Sequence, residues 1–140
     1  MHAEGNCLSH LPAIVAARAN LIFPESQDRR KLMSFFRELS LSLFDSCAIR
    51  GKLVGHLKLY GEGGCKTVIR ANATGMRESV QVEVRNFKPE REMKLWVNII
   101  AYARSEQELR GSFLRALGKF ENGRRVTLRG MRIAHSHRRH

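Results

Sequence analysis

The chain has 140 residues, enough for one domain with a core of its own, and 43% of them are hydrophobic. Lys and Arg number 25 against 13 Asp and Glu, a net charge of +12. That balance leans toward polyanions: RNA, DNA, a nucleotide or an acidic protein surface.

No run of about 18 apolar residues occurs, so no transmembrane helix is expected. The three cysteines, Cys7, Cys47 and Cys65, form no C-x-x-C pair. They argue against a disulfide scaffold and for a reducing, cytoplasmic setting.

Residues 1–25 lack a sustained period and are interrupted by Pro12 and Pro24. The segment "LPAIVAARA" has no basic region before it and contains Arg18, so it reads as a partly buried N-terminal extension rather than a signal peptide. From Ser26 the pattern changes. Ser26 is a candidate helix cap, and Asp28 suits the positive end of a helix. Leu32, Phe36, Leu39 and Leu43 then step at helical spacing, with Phe35 and Phe44 beside them, to about Cys47. Gly51 permits the change of direction.

Strands follow. In "KLVGHLKLY", Leu53, Leu57 and Leu59 share one face, and Val54, His56, Lys58 and Tyr60 share the other. "KTVIRANAT" returns antiparallel. "ESVQVEVRN" alternates Val80, Val82 and Val84 with Gln81, Glu83 and Arg85. "EMKLWVNIIAY" sets Leu95, Val97 and Ile99 on one face. In "SEQELRGSFLRALGKFENG", Ser105 and Glu108 have capping-box spacing, and Leu109, Phe113, Leu117 and Phe120 form a buried stripe. Asn122-Gly123 marks the stop. "RRVTLRGMRI" reads as a last strand, bulged at Gly130.

The order is α-β-β-β-β-α-β. It predicts an α+β domain over 26–134, with a mostly antiparallel sheet of about five strands and two helices on one face. Residues 135–140 form a basic, His-rich tail.

One stretch, "GHLKLYGEGGCKT" (55–67), nearly spells a phosphate-binding loop, G-x-x-x-x-G-K-[ST]. With Lys66 and Thr67 as its last two positions, the required glycines fall at Tyr60 and Cys65, and the continuation is strand-like rather than helical. The reading is a hairpin whose turn is "GEGG", with glycines supplying positive φ.

The candidate sites are few. His56 and Lys58 project together from one strand face and suit a ligand or partner contact. Arg124, Arg125, Arg129 and Arg132 form the densest basic stretch and suit RNA phosphates. No aromatic-basic stacking motif of the RNA-recognition type is legible. His135, His137 and His140 could hold a divalent metal with His2, Cys7 and His10 if the termini meet, imidazole and thiolate suiting zinc, copper or nickel. No cofactor is otherwise expected. No acid-base pair or nucleophile set is legible, so the chain reads as a non-enzyme.

The succession "RRKLMSFFRELSLSLF", "GKLVGHLKLYGEGG", "IRANATG" and "LWVNIIAYARSEQELRGSFLRAL", closed by "AHSHRRH", resembles the C-terminal domain of CobW-type GTPases, the cobalamin-biosynthesis and metal-chaperone class. The resemblance covers about residues 28–138. It rests on Gly55 to Lys58, on Asn98, on Ser105 to Leu109 and weakly on Ser136 to Arg138. It implies a binding or regulatory module in metal or cofactor handling, without the GTPase domain itself. It also implies a protein partner, such as a separately encoded GTPase, contacted through His56, Lys58, Tyr60 and Asn98.

A second succession, "REMKLWVNI" followed by a helix and "KFENGRRVTLRGMRIAH", is similar to the C-terminal domain of bacterial translation initiation factor three. That similarity implies RNA binding through Arg124, Arg125, Arg129 and Arg132.

Overall fold

The segment expected to be an N-terminal extension is a strand in the interior of the sheet. In a computed structural model, residues 11–124 and 126–134 are described. They run β1 (Ala13–Gln27), α1 (Arg29–Cys47), β2 (Lys52–Gly63), β3 (Val68–Met76), a short 3-10 turn (Arg77–Ser79), β4 (Gln81–Arg85), β5 (Glu90–Ala101), α2 (Glu106–Arg124) and β6 (Thr127–Ile133). The fold is α+β, with six strands in one antiparallel sheet of order β4-β3-β2-β5-β1-β6. The element order is therefore β-α-β-β-β-β-α-β, and the boundary drawn at residue 25 falls inside β1.

Why β1 escapes a reading by period is visible in its faces. Ala13, Val15, Ala17, Ala19, Leu21 and Phe23 point inward and are buried. Its outward positions include Ile14, Ala16 and Ile22, which are also apolar. Alternation of polarity is thus blurred although alternation of burial is strict. Pro24 lies where the register with β5 shifts between Ile22 and Gln27, so its missing N–H interrupts no ladder bond there.

One face of the sheet meets both helices in a single core. Leu32, Phe36, Leu39, Leu43 and Phe44 of α1 and Leu109, Phe113 and Leu117 of α2 pack on the inward side chains of the strands. Phe35 bridges the layers, edge-on to Phe23 at 5.0 Å and to Phe120 at 5.2 Å. The helix caps are set by local chemistry. Asp28, rather than Ser26, caps α1 by accepting from the Lys31 N–H at 2.8 Å. The capping box of α2 forms in both directions: Glu108 N–H donates to Ser105 Oγ at 3.1 Å, and Ser105 N–H donates to Glu108 Oε1 at 3.2 Å. The bulge at Gly130, at φ +67, shifts β6 against β1 between Arg18 and Asn20.

The Gly-rich turn is a hairpin, but its glycines act differently from the expectation. Gly61 and Gly63 lie within β2, and the turn residue at positive φ is Lys66. A Cβ on Gly61 would stand 2.6 Å from Phe36 Cζ, and one on Gly63 would stand 2.1 Å from Glu90 Cδ. The glycines make room. The space at Gly63 holds the buried Glu90 carboxylate, which accepts long bonds from the Cys65 N–H (3.5 Å) and the Thr67 N–H (3.4 Å). Thr67, fully buried, also exchanges bonds with the backbone of Lys88. A carboxylate of the same chain thus occupies the turn's donors, where a phosphate-binding loop would hold phosphate.

Arg104 ties the helices together. Its guanidinium donates to the carbonyls of Ser46 and Cys47 and to Ser112 Oγ, placing a cation at the C-terminal end of α1. Beside it, burial pushes the Cys47 thiol up to about 11 from 9.0, with Arg104 pulling weakly the other way. The neutral thiol is the folded form. The stability it confers is complete below about pH 9, where the unfolded thiol is also protonated, and is lost as pH rises through about 11. Denaturant titrations across that window should show a loss of roughly 2–3 kcal/mol that Cys47→Ala lacks. Equal alkaline slopes in the two proteins would refute it.

Candidate functional site

Among the described residues, no element covers the face of the sheet opposite the helices. Register places its outward side chains in rows that cross the strands. One row reads Glu83 on β4, Arg70 on β3, Tyr60 on β2, Trp96 on β5, Arg18 on β1 and Arg132 on β6. The adjoining row holds Gln81, Asn72, Lys58 and Asn98, followed by Ala16. On the other side Glu62, Lys94, Asn20 and Arg129 stand abreast.

The centre of this face is aromatic. Tyr60 and Trp96 are half-buried, with ring centroids 5.4 Å apart and planes tilted by 55°. The Arg70 guanidinium lies over the Tyr60 ring at 5.7 Å, within cation–π range. Three shallow depressions surround Trp96, which forms part of every wall. One of about 400 Å³ is bounded by Lys58, Tyr60, Arg70, Asn72 and Asn98. The others, of about 380 and 330 Å³, lie between Trp96 and the pair Arg18 and Arg132.

Among the described residues, the cations around the rings form no ion pairs. Arg18, Lys58, Arg70, Lys94, Arg129 and Arg132 are all exposed. Among the described residues, the ion pairs are Lys31–Glu25, Arg77–Asp45, Arg85–Glu83 and Arg124–Glu38, and none uses those six cations. A desolvating partner with anionic groups would meet free guanidinium and ammonium groups here, without first breaking an internal pair.

The residues expected from the sequence divide clearly. His56, Lys58, Tyr60 and Asn98 do share the open face, with Lys58 directly opposite Asn98 and His56 opposite Ile100. Arg129 and Arg132 join them from the edge strand. Arg124 does not: it ends α2 on the covered side, paired with Glu38 and lying over Phe120. Arg125, and the candidate metal ligands His2, Cys7, His10, His135, His137 and His140, lie outside the described residues. Among the described residues, no group of three or more His, Cys, Asp or Glu could hold a metal ion, and no helix is long and apolar enough to cross a membrane.

The sequence reading missed Trp96, Arg70 and Arg18. It found no aromatic-basic stacking motif, but the sheet register assembles one from separate strands. The signal was present in part: Trp96 alternates with buried Leu95 and Val97, so it had to face outward. Its neighbours could be named only once the strand order was known.

Comparison with protein-family models, with curated proteins and with solved structures returned no match. The functional reading therefore rests on this face.

Proposed function

We propose that the protein is a non-catalytic binding module that works through the open face of its sheet, and that the ligand is nucleic acid. The observation that carries this reading is the convergence, on one surface, of six basic side chains, without ion pairs among the described residues, around the half-buried Tyr60–Trp96 pair. Charge of this density favours phosphate. The cytoplasmic setting suggested by the cysteines belongs to the same reading.

The competing occupant is the protein partner in metal or cofactor handling that the CobW resemblance implies. A protein interface core is depleted in charge and rich in apolar and aromatic groups. Here the rings are hemmed by arginines, which favours the nucleic acid.

The test is binding of RNA to the full chain as salt is raised. Affinity should fall steeply, because each phosphate contact releases counterions. Replacing Arg18, Arg70, Arg129 and Arg132 together with Gln should flatten the slope of log affinity against log salt by about 0.7 per lost contact, or roughly 3 in all. An affinity that does not change with salt, or partners from cell extract that all survive nuclease treatment, would overturn the reading in favour of a protein ligand.

A further inference from the structure

Resting on the reading of the open face as a nucleic-acid surface, we propose that its ligand is single-stranded, and that Tyr60 and Trp96 form a platform on which successive bases stack. The strand crosses the β-strands along the row from Arg70 to Arg132.

The row has the composition such a ligand needs. Inside Glu83, which pairs with Arg85 at the outer end, its order is cation, ring, ring, cation, cation: Arg70, Tyr60, Trp96, Arg18, Arg132. Five adjacent strands contribute one residue each. At about 4.8 Å between neighbouring strands, the row is about 19 Å long. That length suits a site of about four nucleotides, the low end for a single small domain. A nucleotide strand is apolar on the faces of its bases and charged along its backbone, so two stacked bases with phosphates flanking them match this order.

A duplex does not match. Its bases are stacked on one another and its surface offers phosphates and groove edges, which leaves two half-exposed rings unused. Unstacked bases reward them, because each base has a π-face whatever its identity. The depressions on the two sides of Trp96 give room for a planar group on each side of the indole. Beside the rings, Asn72, Lys58 and Asn98 stand in the next row. The two amides can each donate and accept, so they can meet base edges that a duplex would conceal.

Arg70 gains a double use. Lying over Tyr60, it holds that ring from one side while its own planar guanidinium remains exposed to a phosphate or a base.

Trp96 is the only tryptophan in the chain, so its fluorescence reports on the site directly. The probes are a short single-stranded oligouridylate, an RNA duplex of equal length and an oligothymidylate. The oligouridylate should quench Trp96 saturably and bind at least about tenfold tighter than the duplex. Tyr60→Ala should weaken binding about 5- to 150-fold, as expected for losing one stacked base, while leaving the salt slope unchanged. Trp96→Phe, followed by anisotropy of a labelled strand, should retain most of the affinity, since it keeps a ring. Circular dichroism checks that each variant is folded. Equal affinity for oligothymidylate assigns the platform to single strands of either sugar, and weaker affinity assigns it to RNA through the 2′-hydroxyl.

Binding of the duplex as tightly as the single strand overturns the platform. So does a Tyr60→Ala variant of full affinity while the arginine variant is weakened; either result leaves the nucleic-acid reading standing. Failure of every probe to bind overturns both.

Discussion

Gly55→Ala is expected to cost the fold more than about 4 kcal/mol, or to prevent folding. A Cβ at this position would stand 1.8 Å from the carbonyl oxygen of Ile100 and 3.1 Å from the Ala101 Cα. Both are backbone atoms of β5, which is held between β2 and β1 and cannot retreat. The residue also sits at φ +149, a conformation an L side chain rarely adopts. The cause lies in the ladder. The register of β2 with β3 shifts between Leu53 and Leu57, and Thr74 Oγ1 donates to the Gly55 carbonyl at 2.6 Å across that irregularity. Val54→Ala is the matched control. Val54 is 60% exposed on the open face, and its loss should change stability by less than about 1 kcal/mol. Urea titrations of the two variants provide the measurement. A Gly55→Ala protein as stable as the control would show that β2 and β5 do not approach in this way.

The second large effect is at Phe36, fully buried under the sheet. Phe36→Ala should cost about 3–5 kcal/mol through lost burial and the cavity left behind. The more informative experiment couples it to Gly61. Adding a methyl there places a carbon 2.6 Å from both Phe36 Cζ and Ile69 Cγ2. Gly61→Ala alone should therefore cost about 1–3 kcal/mol as overpacking. In a Phe36→Leu background the ring edge is gone and the methyl has somewhere to go. The double variant should be less destabilised than the sum of the singles by about 1 kcal/mol. Strict additivity would mean that Gly61 is needed for its backbone and not for the room it leaves.

How much of this was legible in the sequence depends on whether the signal was local. Both helices were, because spacing and caps are written within a few residues; the choice of Asp28 over Ser26 and the run of α2 through the expected stop at Asn122-Gly123 to Arg124 came from the structure. The β2–β3 hairpin and the valine alternation of β4 were also local. β1 was not legible. Half of its inward face is alanine, its outward face carries Ile14 and Ile22, and a proline lies within it. Its strand character comes from the two neighbours that flank it.

The candidate site follows the same rule. His56, Lys58 and Tyr60 could be placed on one face by counting in twos. That Arg18, Arg70, Trp96 and Arg132 stand abreast of Tyr60 requires the strand order and the register, which no short window contains. Arg124 failed as a candidate for the opposite reason. Nearness in sequence to Arg129 and Arg132 suggested a shared surface, but the end of α2 puts it against Glu38 on the covered side.

The position of β1 between β5 and β6 also sets an order of assembly. Ala13 pairs with Ala101, and Ala17 with Ile133, so β1 finds its partners only in β5 and β6, far along the sequence. On a ribosome, β2, β3 and β4 can pair as a meander as soon as they emerge, while β1 waits with its edges open. Closure must then span most of the chain, and contacts of that separation slow folding toward the millisecond-to-second range of β-rich domains. During that interval β1 offers unpaired backbone groups on both sides, together with Ile14 and Ile22 on its surface. β1 is therefore most exposed to wrong pairing before β5 emerges to cover its longer edge.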